Sequence, residues 1–432
     1  MLERLFQLQA HGTTVRKEVV AGITTFLTMA YVIVVNPSIL ASTGMDFGAV
    51  FVATCIAAVI GTLIMGLWAN YPIALAPGMG LNAFFSFTVV GSMGYSWEVA
   101  LGAVFISGFL FFLLSIFRVR EWIINSIPLS LRFGISAGIG FFLALIALKN
   151  AGIVVDNPAT LVSLGDVKTP ESLLFFGGFV LICALSFRQV TGSVMIGILA
   201  VTAGAMALGM VEYEGLVSAP PSVAPTFMQL DLAGAFNVGM ISVIFAFLFV
   251  DLFDTSGTLV GAAQRGGLLD KDGKLPRLGR ALMSDSVATM SGATLGTSTT
   301  TSYVESTAGI AAGGRTGLTA VVVAALFLAC LLFAPIASVI PPYATAPALL
   351  YVCCLMTSGL KLVDWDDITD AAPAVVTALM MPLTFSIADG IAVGFITYAL
   401  LKALAGKWQD LNWSIIAIAI VFVLKFLFLE AA

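Results

Sequence analysis

Apolar runs of roughly 17 to 24 residues, the length of a helix crossing a hydrocarbon core of about 30 Å, recur from near residue 18 to near residue 429. The pattern predicts spans near 18–41, 49–68, 71–92, 98–117, 129–148, 172–187 and 192–211, then near 237–260, 281–296, 300–312, 317–338, 343–360, 370–386 and 388–405. That is seven plus seven, and the halves echo each other. "SIPLSLRFGISAGIGFFLALIALKNAG" (126–152) has the layout of "VIPPYATAPALLYVCCLMTSGL" (339–360). "ALSFRQVTGSVMIGILAVTAGA" (184–205) lines up with "PLTFSIADGIAVGFITYALLKA" (382–403). Because seven is odd, the second copy enters the bilayer from the opposite side, and inverted repeats of this kind belong to transporters. The fold class expected is an all-α polytopic membrane protein of about 14 transmembrane segments in a 7+7 inverted repeat. A further apolar run, 411–429, has no counterpart in the first half and is either another crossing or an interfacial helix.

Two segments interrupt the helical pattern at matching places. The third span reads "YPIALAPGMGLNAFF" (71–85), where Pro72, Pro77, Gly78 and Gly80 deny its first half a regular helix. The tenth reads "TSTTTSYVESTAG" (297–309); β-branched threonine favours extended backbone. Short broken spans at corresponding positions of two repeats point to a transport site between them. Non-helical backbone at that depth persists only where protein or a water-filled cavity satisfies it. Short extended stretches are therefore expected in spans 3 and 10, with half-helices beginning near Asn82 and Glu305.

Composition agrees with the pattern. The chain has 432 residues, 59% hydrophobic and 10% charged, against roughly 25% charged for a soluble domain. The placement of charge says more than the net −5. Arg4, Arg16 and Lys17 precede the first span, which reads as a retained span and not a signal peptide. Arg118, Arg120, Arg132 and Arg188, then Arg265, Lys271, Lys274, Arg277 and Arg280, and finally Arg315, Lys361, Lys402 and Lys407 follow even-numbered spans or begin the next. By the positive-inside rule the N-terminus and these loops are cytoplasmic. The five cysteines lie in apolar spans without disulfide or zinc spacing, and His11 is the only histidine, which excludes a histidine proton relay.

The eighth span carries "FAFLFVDLFDTSGTLVG" (245–261). Asp251 and Asp254 lie three apart and can face one cavity; an acid inside a membrane is a functional candidate by default. Asp285, close to the basic loop 265–280, is expected to be a cap or surface ion pair. Acids without a buried basic partner disfavour an anionic substrate. With Phe84, Phe85, Phe87, Phe245, Phe247, Phe249 and Phe253 nearby, they suit a polar molecule rich in N–H donors, since carboxylates accept paired N–H bonds from a heterocycle's edge.

"PGMGLNAFF" (77–85), "DLFDTSGTL" (251–259), "TSYVESTAGIAAGGRTGLTA" (301–320) and "HGTTVRKEVVAGITTFLTMAYVIVVNP" (11–37) resemble the motifs of the azaguanine-type hypoxanthine/guanine/adenine permeases, within the nucleobase–cation symporter superfamily. The resemblance covers essentially the whole chain. It implies a core domain from 1–117 and 236–338 and a gate domain from 118–235 and 339–432, the last including the extra C-terminal segment. It implies purine binding by Glu305, Asp251, Asn82, Phe84 and Thr28, with Asp254 and Glu305 serving proton coupling. Uracil-type relatives carry a histidine near this point of the eighth span; this chain has none, so its proton route must differ.

The function expected is purine nucleobase (adenine, guanine or hypoxanthine) uptake by proton-coupled symport and alternating access, in the cell inner or plasma membrane. Burial disfavours the charged form of a carboxylate, so a carboxylate in the site can bind a proton together with the base. No cofactor, metal or enzymatic step is expected, the coupling ion being H+. The expected partners are a purine nucleobase and the lipid bilayer, with no nucleic acid; a homodimer is left open. The alternative is a channel or anion exchanger on the same architecture, which would want a basic residue at the start of the tenth span, where this chain has Thr and Ser. An intramembrane aspartyl hydrolase would need a facing dyad, and Asp251 and Asp254 share one helix.

Overall fold

The computed structural model describes residues 2–116, 128–213, 215–268 and 275–428. Among these, eight helices are long and apolar enough to cross a membrane: Val15–Ala41, Phe47–Ala69, Trp97–Ile116, Leu129–Asn150, Pro170–Phe187, Gly317–Val339, Pro342–Leu362 and Ile387–Leu404. Shorter apolar helices cover Met79–Ser92, Ser193–Ala207, Gly239–Leu252, Ile368–Thr384 and Trp413–Leu427. The loop charges Arg118, Arg120, Lys271 and Lys274 lie outside the described residues, as does the side chain of Phe253.

Helix starts follow local chemistry. Side-chain oxygens of Thr14, Asp46, Thr169 and Ser386 each accept a first-turn backbone N–H, satisfying a donor that the helix leaves free. Close approach is set by glycine: a Cβ on Gly317 would lie 1.8 Å from the Gly66 carbonyl oxygen, so the two backbones touch directly.

The order of elements repeats. In both halves a long helix is followed by a second helix, a short strand leading into a short helix, and another long helix. Four strands are described: β1 (Leu75–Pro77), β2 (Val154–Asn157), β3 (Leu161–Leu164) and β4 (Thr300–Ser302). β1 and β4, one from each half, pair antiparallel with Leu75 opposite Ser302, Ala76 opposite Thr301 and Pro77 opposite Thr300. Thr62 and Thr289 complete this pair. The Thr62 hydroxyl donates to the Leu75 carbonyl at 3.0 Å and accepts its N–H at 2.9 Å. The Thr289 hydroxyl donates to the Thr300 carbonyl at 2.9 Å and accepts its N–H at 3.2 Å. Leu75 and Thr300 are the first residues of their strands, so one hydroxyl from the preceding long helix serves the same place in each half.

Helix Leu129–Asn150 packs against Pro342–Thr357 and Ile368–Thr384, and the latter against Ile387–Leu404. Leu278–Leu295 packs against Trp97–Ile116 and Phe47–Ile64, and Gly317–Cys330 against Val15–Met29 and Phe47–Ile64. Glu18, fully buried, joins the last group: its carboxylate accepts from the backbone of Arg315, Thr316 and Thr319 and from the Thr319 hydroxyl at 2.6 Å. At the end of Ile387–Leu404, Lys402, 2% exposed, reaches Asp370 at 2.7 Å, Asp410 at 3.1 Å and Asp367 at 3.5 Å.

Two expectations change, and the C-terminal segment gains a neighbour. β2 and β3 form an antiparallel hairpin within 151–169, polar in part and largely exposed, which the apolar pattern does not reveal. The half-helix after β1 begins at Met79, so Asn82 lies one turn inside it and not at its start. The C-terminal helix Trp413–Phe428 lies against Ile387–Leu404, where Lys425 pairs with Asp389 at 2.5 Å, and Phe422 meets both Phe395 and Phe245 at 6.2 and 6.3 Å.

Candidate functional site

The strand pair creates two junctions where extended chain gives way to helix. After β1 the first helical residue is Met79, preceded by Gly78 in extended conformation; after β4 it is Ser306, preceded by Glu305. Two further bonds fasten the junctions: the Tyr303 hydroxyl donates to the Pro77 carbonyl at 2.6 Å, and the Ala74 N–H donates to the Ser306 hydroxyl at 3.0 Å. A Cβ on Gly78 would press on Thr301 Cγ2 at 2.7 Å, and Asp254 Oδ2 would stand 3.8 Å away. Glycine is thus needed at this junction because β4 occupies the space.

Glu305 meets the first span. The Tyr31 hydroxyl donates to Glu305 Oε1 at 2.6 Å, and Thr28 Oγ1 approaches the Glu305 carbonyl at 3.5 Å while bonding back to Thr25 O at 2.7 Å. Asp254 is close enough to Glu305 for the two carboxylates to interact. Helices from both halves therefore contribute: Tyr31 and Thr28 from Val15–Ala41, Asp254 from Val238–Gly266, and Glu305 from the β4 junction.

Asp251 belongs to a different contact set. It is 2% exposed, and Thr255 stands one turn on, 3.4 Å from its Oδ1. The Thr255 hydroxyl also contacts Asp285 Oδ1 at 2.9 Å and the Thr301 hydroxyl at 2.7 Å. Asp285 corrects the sequence expectation of a cap or surface ion pair: it is fully buried, because helix Leu278–Leu295 starts two turns before it. Asn82 is fully buried and accepts from Ser298, while among the described residues its amide nitrogen has no hydrogen-bond partner. Phe84 is 1% exposed and packs edge-on against Phe247 at 5.1 Å.

The arrangement thus brings Glu305, Asp254 and Thr28 together, sets Asn82 beneath the strand pair, and places Asp251 with Asp285 behind β4. Sequence reasoning missed Tyr31, Tyr303, Thr62 and Thr289. Tyr31 lies inside one of the quoted motifs, but its partner is 274 residues away, so no local spacing reveals the bond.

A sequence profile described as the permease family matches residues 16–393. A putative permease of Methanocaldococcus jannaschii is 53% identical over 99% of this chain and 99% of its own length. The adenine permease AdeP of Escherichia coli is 51% identical over 100% of this chain and 97% of its own. The guanine/hypoxanthine permease PbuG of Bacillus subtilis is 46% identical over 99% and 100%. Among solved structures, the transmembrane domain of the cyanobacterial bicarbonate transporter BicA aligns with a TM-score of 0.65 at 15% identity, over 88% of this chain and 97% of that one, a likeness of fold alone.

Proposed function

The chain belongs to the permease family, and from that premise we propose that it is a multi-pass membrane protein that takes up purine nucleobases by proton-coupled symport. The adenine and guanine/hypoxanthine permeases among its relatives support the substrate class. The observation that carries the site is Glu305: a carboxylate at the strand-to-helix junction, bonded by Tyr31 and in electrostatic contact with Asp254.

Glu305 accepts N–H bonds from the edge of the base, with Thr28 and Asp254 beside it. Asn82 and Phe84 support the other junction, and Asp251 acts with Asp285 and Thr255 to hold β4. A proton taken up by Glu305 or Asp254 neutralises charge in the site before it moves, which lowers the electrostatic cost of crossing a low-dielectric region. Movement follows alternating access, a core of 1–117 and 236–338 shifting against a gate of 118–235 and 339–432 in a fourteen-span, 7+7 inverted repeat. The repeated element order and the two packing groups support this division. Lys and Arg at successive even-to-odd connections support a cytoplasmic N-terminus.

Uptake of radiolabelled adenine, guanine and hypoxanthine in cells lacking their own permeases tests the reading. We expect uptake that collapses with a protonophore and in Glu305→Ala. Uptake that ignores the proton gradient and requires Na+ overturns the coupling ion; unaltered uptake by Glu305→Ala overturns the site.

A further inference from the structure

We infer that Tyr31 is a positioning residue for substrate recognition: its hydroxyl holds one oxygen of the Glu305 carboxylate so that the other is presented to an N–H donor of the base. The inference rests on the reading of Glu305 given above and adds the group that orients it.

The first observation is the bond itself. At 2.6 Å from Glu305 Oε1, the Tyr31 hydroxyl lies within the short range expected for a hydroxyl donating to a carboxylate. Among the described residues Tyr31 is the one side chain that hydrogen-bonds this carboxylate. A glutamate has three side-chain torsions, and without a fixed donor its carboxylate would sample several rotamers. A carboxylate has about four lone-pair sites, so fixing it at Oε1 leaves it able to accept from a ligand as well.

The second observation is how Tyr31 is itself held. It is 2% exposed and stands where the helical ladder of the first span is interrupted, between Val15–Met29 and Val32–Ala41. The backbone tightens there: the Ile33 N–H bonds Ala30 O, and the Val34 N–H bonds Tyr31 O, both at 3.1 Å. Upstream of that turn the chain is helical, and residues three apart on a helix are neighbours on one face. Thr28 and Tyr31 are three apart, and both reach Glu305, one toward its main chain and one to its side chain. The break in the first helix and the junction after β4 are therefore built against each other.

The third observation is reciprocity between the halves. Tyr31 of the first half's leading helix meets the junction residue Glu305 of the second half, while Asp254 of the second half's leading helix, Val238–Gly266, stands by the junction residue Gly78 of the first. Each long helix thus places a polar side chain at the opposite half's strand-to-helix turn. At one turn the carboxylate lies on the junction and the hydroxyl on the helix; at the other a glycine makes room for the carboxylate.

The test is adenine transport by purified protein in proteoliposomes, with KM and maximal rate read separately. Tyr31→Phe should raise KM about tenfold, the scale of one hydrogen bond to a charged group, with maximal rate within about twofold of wild type and an unchanged melting temperature. Glu305→Asp withdraws the carboxylate from the hydroxyl and should raise KM by a similar factor. The double variant should then be no worse than Glu305→Asp alone, because the two changes remove one interaction. An unchanged KM in Tyr31→Phe, or costs that add in the double variant, overturns the inference. If Tyr31→Phe does not accumulate as folded protein, Glu305→Asp carries the test, and an unchanged KM there overturns it. Glu305→Ala separates the two levels: normal uptake refutes the site itself, whereas lost uptake with a normal Tyr31→Phe refutes only the role of Tyr31.

Discussion

Replacing Thr62 by valine would remove a single hydroxyl while nearly keeping side-chain volume. That hydroxyl both donates to the Leu75 carbonyl and accepts its N–H, at 3.0 and 2.9 Å, and Thr62 and Leu75 are both fully buried. Valine would leave two buried backbone groups unsatisfied, each costing about 1–3 kcal/mol. Taking the lower end for each gives roughly 2 kcal/mol, or about a 30-fold rise in the population of locally opened chain at 1.4 kcal/mol per factor of ten. The readout is amide hydrogen exchange, by mass spectrometry, of peptides covering 71–78 and 298–304 in lipid nanodiscs. We expect protection of the first peptide to fall by at least that factor. The second should fall with it, because β1 and β4 open together. Thr62→Ser keeps both bonds and should stay within about threefold of wild type. Thr289→Val should produce the same loss from the other half. If Thr62→Val exchanges like wild type, the two bonds do not hold the strand, and the account of how this chain satisfies its non-helical backbone is wrong.

Three further outcomes are expected. Gly80→Ala would put a Cβ 2.4 Å from Ile139 Cγ2 on helix Leu129–Asn150; uptake should fall while expression holds, as measured by transport per unit of folded protein. Lys402→Met removes the ammonium that Asp367, Asp370 and Asp410 share, three carboxylates that are themselves 21 to 48% exposed; the melting temperature should fall, and one equal to wild type would contradict it. The Lys407 ammonium, with the Thr369 hydroxyl, holds the Asp367 carboxyl well below the usual carboxylate range. A depressed folded value means its contribution is complete above the ordinary aspartate range near 4 and declines as pH falls below it. Asp367→Asn should flatten that part of the stability-versus-pH curve from thermal unfolding.

The sequence made the two junctions visible because local chemistry alone produces them. Pro72, Pro77 and Gly78 cannot continue a helix, and threonines at 299–301 favour extension, so both strands could be anticipated. Glu305 stood out as an acid in an apolar chain. What stayed hidden depends on long-range pairing. Asp285 reads as a cap or surface ion pair because the basic loop 265–280 precedes it, yet the helix begins at Leu278 and carries it about 10 Å inward. Glu18 follows Arg16 and Lys17, and nothing local points to its partners, the backbone N–H groups at the start of Gly317–Cys330, 297 or more residues away. Thr62 and Thr289 are unremarkable in composition; their importance appears only when the strands they serve are in place.

The register of β1 and β4 has a consequence for chain length. Side chains along a strand alternate sides every residue, and Leu75 faces Ser302 with Thr301 central. Inserting or deleting one residue between Gly296 and Glu305 would turn Thr301 away from Thr255 and shift Glu305 off Tyr31, whatever the composition of the segment. The exposed turn joining β2 to β3 faces no such restriction. Among natural variants of this chain, the number of residues from 296 to 305 should therefore be held fixed even where their identities drift, while 157–161 lengthens and shortens freely.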